Sequence, residues 1–85
     1  MFLEILTPDK KIFAGEVGSV TVPGAQGAFQ VLSNHAPIIS TLEDGKLTVK
    51  INDRESVLYL IKGGVVDVLD NKVTVLVEGA EQLTE

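Results

Sequence analysis

Eighty-five residues, 45% of them hydrophobic but only 5% aromatic, with no tryptophan and no cysteine, give one small domain with an aliphatic core and no disulfide or thiolate metal site. Twelve acids against seven bases leave a net charge of −5, which disfavours docking on nucleic-acid phosphates or anionic lipid headgroups, since both need clustered Lys and Arg. The longest uncharged apolar run, Val57 to Ile61, is far short of the roughly 20 residues of a membrane span, and Met1 to Leu6 lacks the basic region and cleavage site of a signal peptide.

Along the chain, short apolar runs alternate with turn residues. Phe2 to Thr7 predicts a first strand, closed by Pro8-Asp9; the Lys10-Lys11 doublet reads as a solvated turn or strand edge. Gly15 punctuates the next segment, and Gly18 to Val22 predicts a strand ending at Pro23-Gly24. Gly24 to Gly27 leads into a small apolar strand, and Asn34 with Pro37 shapes the turn that follows. Ile38 to Leu42 and Lys46 to Ile51 are predicted to pair across Asp44-Gly45, a favoured two-residue hairpin loop. In Lys46 to Ile51 the apolar side chains fall on one pleat face and the polar ones on the other. Asn52-Asp53 separates this run from Ser56 to Lys62. Gly63-Gly64 before Val65 to Leu69 fits a turn, a bulge or a close backbone approach. Asp70-Asn71 precedes Val73 to Val77, and Glu81 to Glu85 is the one place for a turn of helix.

No window keeps apolar residues at i, i+3, i+4 and i+7, so long helices are not expected. The pattern predicts an all-β, antiparallel sandwich or flattened barrel of about 8–10 short strands.

No catalytic, cofactor-binding or metal-binding residues emerge. His35 is the only histidine, and no third member completes a triad with Ser33. Glu43-Asp44 flanks a turn. Gly24 and Gly27 lack the Lys-Ser/Thr and the following helix of a phosphate loop.

Several motifs taken together resemble the epsilon subunit of F-type ATP synthases. They are Gly24-Ala25-Gln26-Gly27, Val31-Leu32, Ser33-Asn34-His35-Ala36-Pro37-Ile38, Leu42 to Gly45, and Lys62-Gly63-Gly64-Val65-Val66-Asp67-Val68. Leu3 to Pro8 with Phe13 to Val17 looks like that family's first hairpin, and Asn71 to Leu76 like its last. The likeness runs over the whole chain, 1–85, as one epsilon-type β-sandwich domain. Ser33-Asn34 stands where the family has Pro-Gly, and Asn tolerates the left-handed conformation that such a turn needs. Gln30 stands where the family often has glycine. Many members continue into a C-terminal helical hairpin that inhibits ATP hydrolysis. This chain ends at Glu85, which implies a natural short form or one domain of a longer protein, without that inhibition.

The resemblance implies a non-catalytic rotor component of the central stalk. It would bind the gamma subunit and the c-ring, peripheral to the cytoplasmic face of a bacterial inner membrane or the equivalent organelle face, and couple ion flow to ATP synthesis. It implies a c-ring contact over Ala28, Phe29, Gln30, Val31, Leu32, Ser33, Asn34, His35, Ala36 and Pro37. A gamma contact is expected at Gly63, Gly64, Val65, Val66 and Val68. Two rivals remain open at this point. One is a biotinyl or lipoyl carrier with Lys46 on a hairpin; the other is a small binding sandwich, which the shortage of aromatic platforms weakens.

Overall fold

The computed structural model describes residues 1–83. Eight strands follow in order: β1 (Phe2–Leu6), β2 (Lys11–Glu16), β3 (Ser19–Val22), β4 (Phe29–Leu32), β5 (Ile38–Leu42), β6 (Gly45–Lys50), β7 (Ser56–Leu69) and β8 (Lys72–Leu83). They make one continuous, unclosed sheet in the order β2-β1-β8-β7-β6-β3-β4, with β5 added along β7. The sheet folds over on itself, so that two layers face each other across the aliphatic core.

The fold line explains the long strands. The first half of β7 pairs with β6, from Lys50 opposite Ser56 to Gly45 opposite Ile61. Its second half pairs with β5, from Leu42 opposite Gly64 to Ile38 opposite Val68. Both halves keep a single antiparallel register, so β5 and β6 run end to end beside β7. On the other side β8 pairs with β7 from Leu69–Lys72 to Leu58–Leu83, with the pair at Gly63 missing. At this line the buried side chains change phase. Tyr59 and Ile61 point inward before it, Val66 and Val68 after it. Leu42 gives way to Leu47, and Val77 to the partly buried Ala80, along the same line. The shift keeps apolar side chains inside both layers as the sheet turns over.

Three expectations are corrected here. Asp44-Gly45 is not a hairpin loop, because β5 and β6 do not pair with each other; it carries the chain from one layer to the next. Gly63-Gly64 does not end a strand: β7 runs through it, and the close-approach reading holds at Gly64. Residues 81–83 extend β8 rather than starting a helix, and the rest of that expected turn lies outside the described residues. One ladder is parallel, β1 against β8. Parallel neighbours usually need a local crossover, but here the first and last strands meet and the whole intervening fold serves as the connection. The Asn52-Asp53 and Asp70-Asn71 turns lie in the connections that close the β6–β7 and β7–β8 hairpins. Asp70 and Asn71 have φ of 50° and 61°, the primed geometry that matches strand twist.

The core is built from Leu3, Ile5, Val20, Val22, Val31, Leu47, Val49, Val66, Val73 and Val75, all fully buried. Each such side chain stabilises the fold by about 1.5–3 kcal/mol relative to exposure. On the outer face, Glu4 of β1 lies 3.4 Å from Lys11 of β2 and 3.4 Å from Lys72 of β8. The hydrogen bond from Lys72, then that from Lys11, holds its carboxyl below the ordinary value of 4.5. A carboxyl lowered on folding adds stability in full above its unfolded value and loses it as pH falls through the folded value. Glu4→Gln is therefore expected to flatten the acid limb of the melting temperature against pH. An unchanged acid limb would show that the bridge is too solvent-screened to matter.

Candidate functional site

The stretch from Ala28 to Pro37 divides according to the pleat of β4, an edge strand paired only with β3. Val31 is fully buried, and Phe29 packs half-buried against the core. Ala28, Gln30, Ser33, Asn34, Ala36 and Pro37 are exposed, His35 is half-buried, and Leu32 is 54% exposed. The side chain of Val31 is therefore unavailable to a partner, and that of Phe29 is available only in part.

Leu32 to His35 form a tight turn in which the His35 N–H donates to the Leu32 carbonyl at 3.1 Å. Asn34 sits at φ 64°, the left-handed position that such a turn requires and that asparagine tolerates. The His35 ring lies with Nδ1 2.7 Å from the Ala36 carbonyl oxygen, which places the ring proton on Nδ1 as donor. The Asn34 N–H donates to Oδ1 of Asn71 at 2.8 Å, joining this loop to the β7–β8 turn.

The same end of the sandwich is stitched by backbone bonds. The Phe2 N–H donates to the Asn71 carbonyl, that of Val17 to Met1, and that of Gly18 to Lys50, over 2.8–3.1 Å. The β4–β5 loop, the β7–β8 turn and the β2–β3 link thus form one rim. Sequence reasoning passed over Asn71 as turn punctuation. It also missed the exposed Ile39 (72%) and Leu69 (53%), which the β5–β7 register brings to the Pro37 end of the loop. The apolar pair Ile38-Ile39 hides which residue faces out, because the polar Ser40 and Thr41 that follow fall one on each face of the pleat.

The second predicted contact starts on the fold line at Gly63 and Gly64 and runs along β7 to Val68, which pairs with Ile38 beside the first loop. Gly64 is exposed, and Gly63 and Val65 are partly so, but Val66 and Val68 belong to the core and offer only backbone. An open apolar depression beside Gly64 is lined by Leu6, Pro8, Leu76 and Val77. Lys46 lies within β6 opposite Leu60, not at a hairpin apex, which removes the geometry that a carrier lysine needs. Among the described residues no group of three or more His, Cys, Asp or Glu could hold a metal ion, and no helix is long and apolar enough to cross a membrane.

A single sheet of eight strands folded over an aliphatic core places the chain in the β-sandwich class. The family described as "ATP synthase, Delta/Epsilon chain, beta-sandwich domain" matches residues 1–83, and the chain belongs to that family. It is 43% identical to the ATP synthase epsilon chain of Chlorobaculum tepidum over 76 residues, covering 89% of this chain and 86% of that one. Against the epsilon chain of Sulfurimonas denitrificans the identity is 49%, over 92% of this chain but only 60% of the relative's length. Among solved structures, a chain of the Euglena gracilis mitochondrial ATP synthase (OSCP/F1/c-ring, rotational state 1) superposes with a TM-score of 0.88 at 27% identity. That match covers 94% of this chain and 51% of the Euglena one. A chain of the central stalk/c-ring of the Tetrahymena thermophila mitochondrial enzyme shares the fold at TM-score 0.83 and 20% identity, over 95% of this chain and 65% of that one.

Proposed function

We propose that this chain is a non-catalytic central-stalk component of an F-type ATP synthase, binding the gamma subunit and seated on the c-ring. It would turn with both and couple ion flow to ATP synthesis, peripheral to the cytoplasmic face of a bacterial membrane or the equivalent organelle face. The observation that carries this reading is the fit of nearly the whole chain onto a subunit of an assembly containing F1 and c-ring.

The physics of the molecule agrees. Transmission of rotation needs a stiff body and two separate contacts, not a reactive group. A close-packed aliphatic core is weakly compressible, and β7 and β8 run unbroken from one layer into the other. In this reading the rim of Leu32 to Pro37 meets the polar loops of the ring. The fold line at Gly63, Gly64 and Val65 meets gamma, with Val66 and Val68 supporting that contact from within. Each contact needs roughly 800 Å² per partner to be stable.

Co-expression with a tagged gamma subunit tests the reading directly. The chain is expected to elute with gamma in equal amounts through gel filtration. Elution as a free small protein, with gamma itself folded, would refute it.

A further inference from the structure

We infer that Asn71 is a positioning residue that sets the pose of the loop presented to the ring; this rests on the reading above. Residues 33–37 belong to no strand. Among the described residues, one hydrogen bond alone ties them to a distant part of the chain, from the Asn34 N–H to Asn71 Oδ1 at 2.8 Å across 37 positions. The remaining bonds of the loop are local, from the His35 N–H to Leu32 at the end of β4 and from the His35 ring to Ala36. Those bonds fix the shape of the turn but not its direction relative to the sheets.

Asn71 is well placed to set that direction. It occupies the left-handed second position of a two-residue hairpin turn, at φ 61°, so its backbone is held by the β7–β8 ladder. Its carbonyl accepts the Phe2 N–H at 3.1 Å, which anchors it to β1 as well. The side chain therefore projects from a backbone fixed on two sides, and its oxygen reaches the apex of a loop whose own ties are local. A surface loop ordered in advance binds more tightly, because the partner need not offset the entropy of ordering it. The neighbours Leu32, Leu69 and Ile39 are exposed, so a tilt of the loop would change which apolar side chains can meet a partner together.

Two substitutions separate the acceptor from the turn. Asn71→Gly keeps a residue at ease with positive φ and removes the acceptor. Asn71→Asp keeps an oxygen at the same place and also tolerates the left-handed region. In the purified chain, the Asn34 amide is expected to exchange up to about tenfold faster in Asn71→Gly and near the wild-type rate in Asn71→Asp, the size of one net hydrogen bond. Both variants should melt within a few degrees of wild type. Binding to purified c-ring should weaken by about the same factor in Asn71→Gly and recover in Asn71→Asp.

An Asn34 amide that exchanges at the wild-type rate in Asn71→Gly overturns the inference. So does a loosened Asn34 amide with ring binding unchanged. Leu32→Glu serves as the control on the underlying reading. If it weakens ring binding and Asn71→Gly does not, only the role of Asn71 fails. If Leu32→Glu also binds like wild type, the rim is not the ring contact and both fail.

Discussion

Gly64→Ala is expected to abolish the cooperative thermal transition, leaving a largely unfolded chain at room temperature. A Cβ at this position would overlap the Leu76 carbonyl oxygen and lie 2.8 Å from the Val77 Cα. Both are backbone atoms of the neighbouring strand, so neither can swing aside as the end of a side chain would. Relief requires parting β7 from β8, the hairpin that belongs to both layers. The φ of 133° adds backbone strain for any residue with a Cβ, about 1–3 kcal/mol. Overpacking adds about 1–3 kcal/mol more. A domain of this size has about 4–13 kcal/mol in total, so these two terms alone remove about half of it, and parting β7 from β8 removes more. Gly63→Ala is the control. Its φ of 45° carries a left-handed cost of about 1–2 kcal/mol, but the nearest atom, Asp44 Oδ1, is 3.7 Å away. That variant should melt roughly 5–15 °C lower and still cooperatively. If Gly64→Ala melts above Gly63→Ala, the fold line is not as tight as the Leu76 contact requires.

The same glycine pair marks where the sequence is legible and where it is not. Strand positions and their inward faces can be read from period-two alternation, and Lys46 to Ile51 carries Leu47 and Val49 inward as the pattern requires. Alternation cannot tell a strand end from a fold line. The apolar phase slips by one residue between Ile61 and Val66, and both a turn and a bend in a continuous strand produce that slip. The Asp44-Gly45 misreading has the same origin: hairpin chemistry at the boundary of two runs says nothing about whether those runs share a layer. The parallel ladder of β1 and β8 was invisible for another reason, since pairing between the two ends of the chain leaves no local trace. At the rim, the left-handed Asn34 was readable from residue type. Its clasp to Asn71 was not, because a contact across 37 positions depends on which loops the topology gathers.

The second large effect should separate neighbours in one strand. Val31→Asp is expected to unfold the chain and Leu32→Glu to leave its stability within about 0.5 kcal/mol. Val31 is fully buried opposite Val20 of β3 within the aliphatic core, so a carboxylate there loses its hydration among apolar side chains. The cost should be about 4 kcal/mol or more, enough to empty most of the folded state. Leu32 is 54% exposed beside the loop apex, where water solvates a carboxylate as readily as it covers the leucine. Its effect belongs to assembly: a carboxylate desolvated where the leucine side chain meets the ring should weaken attachment at least about tenfold, or roughly 1.4 kcal/mol. Circular dichroism melts and binding to purified c-ring read the two effects independently. A folded Val31→Asp would mean that β4 is a detachable edge rather than a wall of the core. A Leu32→Glu that melts normally and binds the ring like wild type would move the contact off this rim altogether. The two residues differ only in which side of the pleat they occupy, so their contrast tests whether β4 joins the core to the partner surface or serves one of them alone.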